Sequence, residues 1–215
     1  FNKSRAYIFE RGTGIIRRLK FSSTTAEGYE QVSPDISDGG QFVTFQCNST
    51  NHDAQDGGYG PDTNGNRDIY RINLDGNGDG NYFDEENWIP LRASIATNGT
   101  ELPLGVCGAL NTVPPSISGD GRFVVYASSS VFLTQGANPA YTDENGSMYD
   151  IFRHDFDTRE TILLSSRVNG TQAFVESRAP RISSDGRRVI FRSKASNLVS
   201  GDINGDTDVF LWGPE

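Results

Sequence analysis

Long apolar runs are missing from this chain: nothing approaches the ~20 consecutive apolar residues of a membrane-spanning helix, and no signal-peptide pattern is visible. Histidine and sulfur are scarce too, with 2 His, 2 Cys and 1 Met among 215 residues. No Gly-x-Ser-x-Gly elbow, Walker loop or Cys/His zinc spacing occurs, which removes the commonest hydrolase, nucleotide and zinc signatures. Positive charge is also in deficit. With 19 Lys and Arg against 28 Asp and Glu, the net charge is -9 and the pI about 4.7. That balance argues against nucleic acid and against insertion into anionic membranes. Arg17, Arg18 and Lys20 form the nearest basic group and read as a solvated strand face.

What the chain has is glycine and aromatics: 24 Gly, 13 Phe, 8 Tyr and 2 Trp, within a hydrophobic content of only 35 %. Many short strands joined by turns, an all-β protein of one domain, follow from that balance. A repeat makes it specific. Pro34-Asp-Ile-Ser-Asp-Gly-Gly-Gln-Phe-Val-Thr-Phe45, Pro115-Ser-Ile-Ser-Gly-Asp-Gly-Arg-Phe-Val-Val-Tyr126 and Pro180-Arg-Ile-Ser-Ser-Asp-Gly-Arg-Arg-Val-Ile-Phe191 are one unit written three times. Each predicts a short strand (around Ile36, Ile117 and Ile182), a glycine turn and a more buried second strand. The first copy places Asp38-Gly39-Gly40 where the others have Gly119-Asp120-Gly121 and Ser184-Asp185-Gly186, which allows its turn to differ in type.

Third strands are expected at 68–72, 150–154 and 208–212, and fourth strands at 89–92 and 161–165. Four antiparallel strands per repeat make a β-propeller blade. Ala6–Phe9 and Ile15–Leu19 look like the third and fourth strands of a preceding blade. The chain thus divides into a partial blade (1–32), two full blades (33–113 and 114–178) and a second partial blade (179–215). About three blades' worth of sheet is fewer than the 4–8 of a closed propeller. The expectation is either a segment of a longer propeller, flanked by neighbouring blades of the same protein, or self-association that closes the unfinished edges.

The motifs resemble the TolB-like, WD40-like propeller repeats of bacterial envelope and secreted proteins. The likeness is strongest to a subgroup whose blades read Ser-x-Asp-Gly-Arg-x-Val-x-Phe and then Ala-Ser-Asn-Leu-Val-x-Gly-Asp-x-Asn-Gly-x-x-Asp-Val-Phe. Ser184-Asp-Gly-Arg187, Ala195-Ser-Asn-Leu-Val199 and Gly201-Asp-Ile-Asn-Gly-Asp-Thr-Asp-Val-Phe210 carry it. The resemblance implies a recognition or scaffold module, in the cell envelope or outside the cell.

Acid is concentrated in loops rich in Asn and Gly. Asp-x-Asn-Gly-x-x-Asp appears as Asp62, Asn64, Asn66, Asp68 and as Asp202, Asn204, Asp206, Asp208, and with an extra residue as Asp143, Asn145, Asp150. Alternate oxygens around a glycine turn suit Ca²⁺, which takes 6–8 oxygen ligands. The alternative is a set of Asx-turns capped by the last Asp. A sharper pattern is Asp75-Gly-Asn77-Gly-Asp79-Gly-Asn81-Tyr-Phe-Asp-Glu-Glu86, which satisfies the calcium-loop spacing with Glu86 at the bidentate place. Its flanks read as strands, so the expectation is a calcium loop inside a hairpin, the alternative an unliganded acidic tip.

Two further readings concern redox and processing. Cys47 and Cys107 are a candidate disulfide that would clip a long loop to a strand, with two separate buried thiols as the alternative. Five Asn-x-Ser/Thr sequons (Asn2, Asn48, Asn98, Asn145, Asn169) and a first residue that is Phe1 rather than Met fit an exported, processed or truncated product. His154 falls mid-strand and His52 in a loop, and neither reads as a catalytic base. The expected function is therefore a non-catalytic, calcium-binding, extracellular or cell-envelope propeller module for recognition or self-assembly, with a protein or glycan as ligand. The alternatives are the propeller portion of a secreted carbohydrate- or peptide-acting enzyme, or a TolB-like adaptor that binds a protein partner.

Overall fold

Among the described residues, thirteen short strands pair only with their neighbours in sequence, always antiparallel, and this meander pattern produces four separate sheets. The computed structural model describes residues 4–19, 31–48, 62–103, 113–136, 143–167 and 170–214. The first sheet is the pair β1 (Tyr7–Phe9) and β2 (Ile16–Arg18). The second holds β3 (Gln31–Ile36), β4 (Phe42–Cys47), β5 (Asp68–Asn73) and β6 (Ile89–Arg92). The third holds β7 (Ser116–Ile117), β8 (Phe123–Ser128), β9 (Asp150–Asp155) and β10 (Glu160–Leu163). The last contains β11 (Ser177–Ile182), β12 (Val189–Ser193) and β13 (Asp208–Trp212). Two complete four-stranded blades are thus flanked by two incomplete ones. No helix among the described residues is long and apolar enough to cross a membrane.

The first strands begin earlier than the predicted boundaries at 33 and 179, at Gln31 and Ser177. A bulge is the reason: Ser33 and Ala179 take positive φ (58° and 54°) just before Pro34 and Pro180, and the register shifts there before pairing resumes. The proline therefore sits inside the strand rather than opening it.

All three repeat turns have the same form, so the first copy does not differ in type. Ser37, Ser118 and Ser183 each accept a hydrogen bond from the backbone N–H five residues on, through the side-chain oxygen, at 2.9–3.0 Å. Gly40, Gly121 and Gly186 take φ of 76°, 73° and 70°. Asp120 and Asp185 add bonds from the Ser hydroxyl and from Arg122 and Arg187 N–H. Gly39 replaces that Asp in the first copy without altering the turn, because serine and the final glycine set its shape.

Sheets stack through three apolar layers. Ala6 and Leu19 pack against Val43, Phe45, Tyr70 and Ile72; Ile69 and Leu102 meet Val124, Tyr126 and Phe152; Val125 and Ile151 meet Val189, Phe191 and Phe210. β4 and β8 are covered on both faces, whereas β12 and β13 alternate buried and exposed residues. Cys47 is buried in the first layer; its candidate partner Cys107, together with His52, Asn2 and Asn169, lies outside the described residues.

A second device joins the blades at their turns. The Phe42 ring fills the space where a Cβ on Gly121 would stand, and Phe123 does the same at Gly186. Arg71 reaches over this contact, donating to the Gly121 carbonyl at 2.7 Å with its guanidinium 4.7 Å from the Phe42 ring centre and 3.7 Å from that of Phe156. Arg153 repeats the arrangement between Phe123 and Trp212, at 4.6 and 4.8 Å. Finally, the turns meet one another: Asp38 N–H donates to the Gly119 carbonyl, Gly119 N–H to the Ser184 carbonyl, and the Ser184 hydroxyl to the Asp38 carboxylate. A Cβ at position 119 would lie 2.3 Å from the Asp38 carboxylate oxygen and 2.4 Å from the Ser184 hydroxyl, so both exposed side chains would have to shift to admit one.

Candidate functional site

The Asp-x-Asn-Gly-x-x-Asp motif of the first full blade leads into β5 and folds back against the end of β6. Asn66 N–H donates to Asn64 Oδ1 at 2.7 Å, the Asx-turn expected of this spacing, and Asn64 Nδ2 donates to Asp68 Oδ2 at 3.3 Å. Asp68 is fully buried and also accepts from the Ser94 hydroxyl, which in turn accepts from Ile69 N–H at 2.9 Å. Asp62 Oδ2 accepts from the Tyr70 hydroxyl at 2.7 Å, while its Oδ1 is buried without a hydrogen-bond partner. Arg92 supplies the positive charge. Its fully buried side chain lies 2.7 Å from Glu101 and 4.0 Å from Asp62. Glu101 in turn accepts from Thr63 N–H at 2.8 Å and Asn64 N–H at 3.3 Å.

The second blade rebuilds this cluster with different chemistry. Ser165 donates to Asp150 at 2.6 Å and accepts from Ile151 N–H at 3.1 Å, as Ser94 does beside β5. Gln172 stands where Glu101 stands, accepting from Glu144 N–H (2.7 Å) and Asn145 N–H (3.2 Å). Its amide then bridges Asp143 (2.8 Å) and Asp150 (2.9 Å). Asn145 Nδ2 donates to the Ala173 carbonyl, so this sequon asparagine is engaged within the blade. In both blades a protein donor, guanidinium or amide, answers the acid pair.

Burial governs the protonation of these acids. It pushes Asp62 up to about 7, with the Asp68 charge adding to it against the Tyr70 hydrogen bond and the Arg92 charge. Asp150 also rises to about 7 by burial, despite the bond from Ser165. Asp68 and Asp143 shift upward for the same primary reason. Glu101 goes the other way: hydrogen bonds from Thr63 and Arg92 outweigh burial and hold it down to about 2. His154 is packed rather than poised, with Nδ1 2.9 Å from the Thr161 hydroxyl and burial lowering it to about 3.

These shifts fix a sign for stability. Asp62 and Asp150 keep protons in the folded chain between their ordinary value of 3.8 and about 7, where the unfolded chain has lost them. Their contribution is full below that window and disappears as pH rises through it. In EDTA, the melting temperature is expected to be several degrees higher at pH 5 than at pH 8, and the difference to shrink in Asp62→Asn/Asp150→Asn. A wild-type melting temperature that rises toward pH 8 would contradict this assignment.

The third copy differs. Asn204 Nδ2 donates to Asp208 at 3.4 Å and Asp206 N–H to Asn204 at 2.8 Å, so the turn is the same. Asp202 Oδ1 and Asp208 Oδ2 are buried and without hydrogen-bond partners. The Asp75 loop is an exposed hairpin insertion between β5 and β6, and its polar side chains point inward at backbone N–H groups. Both Asp75 oxygens lie 3.2 Å from Gly80 N–H; Asn77, Asp79 and Asn81 accept from Asp79, Asn81 and Phe83 N–H respectively. Glu86 is exposed on a 3-10 turn, Glu85–Asn87. Among the described residues, no three His, Cys, Asp or Glu side chains gather as a metal-binding group.

Sequence reasoning reached the Asp and Asn of each motif and missed Ser94, Ser165, Glu101, Gln172 and Arg92. A signal was present: Asn98-Gly-Thr-Glu101 and Asn169-Gly-Thr-Gln172 are a further repeated element.

No protein-family model matches the chain, and no curated protein matches it by sequence. Solved structures do resemble it. The tricorn protease matches with a TM-score of 0.50 and 13 % identity over 97 % of this chain and 15 % of that one. TolB from Acinetobacter baumannii gives 0.47 and 15 % identity (97 % and 35 % covered), and the putative TolB from Agrobacterium tumefaciens 0.48 and 13 % (99 % and 52 %). The fold is a β-propeller's. At such identities the likeness is one of fold alone, and this chain spans between 15 % and 52 % of the chains just named.

Proposed function

We propose that this chain is a non-catalytic propeller module, extracellular or of the cell envelope, that acts by recognition or self-assembly and has Ca²⁺ ordering its acidic hairpin. The observation that carries the assembly reading is the pair of open apolar faces at the ends of the stack. Tyr7 (59 % exposed), Phe9 (59 %) and Ile16 (60 %) mark one end; Val209 (69 %), Leu211 (65 %) and Ile190 (45 %) mark the other. The same strand positions in the two complete blades are covered, by a preceding sheet for the first end and by a following sheet for the other. Apolar side chains clustered this way favour a partner surface over water.

For Ca²⁺ the support is the oxygen-only donor set of Asp75, Asn77 and Asp79 and the closure of Asp75 onto Gly80 N–H, which draws the first and sixth loop positions together. A bound ion would relieve repulsion among the loop's acids and stabilise the fold by about 2.7 kcal/mol at a hundredfold excess over its Kd.

Light scattering across a concentration series, with Ca²⁺ and with EDTA, tests both parts. Multiples of the chain mass that disappear in Val209→Lys/Leu211→Glu, and a melting temperature raised by Ca²⁺ in wild type but not in Asp75→Asn/Asp79→Asn, are expected. A monomer at every concentration would overturn the assembly reading. Identical melting curves in Ca²⁺ and EDTA would overturn the calcium reading.

A further inference from the structure

In both complete blades the start of the third strand is held by two groups that arrive with the fourth strand. One is a serine just past that strand: Ser94 and Ser165 each accept from the N–H after the closing Asp and donate to that Asp. The other is the acid or amide seven residues later (94 to 101, 165 to 172), whose oxygen accepts the two N–H groups at the second and third motif positions. The backbone joins in, with Ala93 N–H donating to the Ile69 carbonyl and Leu164 N–H to the Ile151 carbonyl.

β13 presents every counterpart of these groups. Asp208 occupies the place of Asp68 and Asp150, and its Oδ2 is buried and unbonded. Val209 corresponds to Ile69 and Ile151, so its N–H and carbonyl, and those of Leu211, point to the outer edge. Ile203 and Asn204 correspond to Thr63 and Asn64, and their N–H groups meet no acid or amide side chain among the described residues. No strand among the described residues pairs with that edge. A groove of about 540 Å³ runs beside it instead, lined by Val199, Ile203, Asp208, Val209 and Leu211.

We infer that the outer edge of β13 is a docking site for an extended strand that carries alternating apolar residues, a serine, and a glutamate or glutamine seven residues after it. The strand adds antiparallel to β13, its backbone pairing with Val209 and Leu211. The serine bonds Asp208 and Val209 N–H, and the acid or amide caps Ile203 and Asn204. Main-chain pairing supplies affinity and the two polar side chains supply register and selectivity. This rests on the assembly reading above and names the chemistry of the partner at one of the open ends.

The chain's own fourth strand provides the probe, a synthetic peptide copying residues 160–173 (Glu-Thr-Ile-Leu-Leu-Ser-Ser-Arg-Val-Asn-Gly-Thr-Gln-Ala). Titration calorimetry against the full chain should show one site, weakened tenfold or more when the peptide carries Ser165→Ala or Gln172→Ala. Leu211→Pro should abolish binding, because proline removes an outward N–H that no strand among the described residues uses. Asp208→Ala should weaken it to the level of the Ser165→Ala peptide, and it serves alone if Leu211→Pro does not fold. A scrambled peptide that binds equally well, or binding unaffected by both protein variants, overturns the proposal. Sedimentation in the same buffers separates the two readings: a chain that associates but ignores the peptide overturns this proposal alone, whereas a monomer that takes the peptide sustains it and overturns self-assembly.

Discussion

Arg92→Met should destabilise the chain by about 3–5 kcal/mol at pH 8, the range for removing one member of a buried ion pair. The guanidinium is fully buried, and it is the positive charge for Glu101 at 2.7 Å and for Asp62 at 4.0 Å. Methionine fills much of the volume, so the loss is electrostatic rather than a cavity. Burial already raises Asp62 to about 7 and raises Asp68, with Arg92 opposing both shifts. Without it, both carboxyls bind protons more readily in the folded state. The penalty should therefore shrink as pH falls from 8 to 5, when protonation replaces the lost countercharge. Urea unfolding at the two pH values checks this. An equal loss at both would mean that Arg92 acts by packing alone.

Gly121→Ala should cost about 2–5 kcal/mol, and its counterpart in the first repeat much less. Both turns hold the final glycine at positive φ, 73° at Gly121 and 76° at Gly40, where an L residue costs about 1–2 kcal/mol. They differ in surroundings. A Cβ at position 121 would lie 2.1 Å from the Phe42 ring, while at position 40 the nearest atom, on Tyr82, is 3.8 Å away. Overpacking adds about 1–3 kcal/mol at the first site and nothing at the second. Chemical denaturation of the two variants side by side isolates the inter-blade contact, and equal losses would show that Phe42 moves aside freely. Phe42→Ala/Gly121→Ala should then lose less than the sum of the single variants, since the clash is relieved.

The strands were legible because each is announced locally. Asp68, Asp150 and Asp208 begin β5, β9 and β13 at the expected residues, since the motif closes on the Asp and the apolar alternation starts immediately after it. The bulges at Ser33 and Ala179 were not legible, because proline reads as a strand start and the register shift exists only against a partner strand. The same limit applied to the polar clusters. Ser94 and Glu101 lie 26 and 37 residues from the groups they bond, Asp68 and Asn64, so the sequence displayed the repeated elements without displaying their pairing. In the Asp75 loop, a spacing that suits cation ligands also suits carboxylates and amides that accept from N–H groups two residues on.

The hydroxyl of Ser184 and the carboxylate of Asp38 are 146 residues apart along the chain, yet they close the ring of turns through Gly119. Such a contact carries a large loop-closure entropy and forms only after all three repeats are in place. Tandem repeats that touch only their nearest neighbours can fray one at a time from an end. Here the first and third copies of the turn are tied to each other as well as to the second, so the loss of either of those two blades removes a bond from the other.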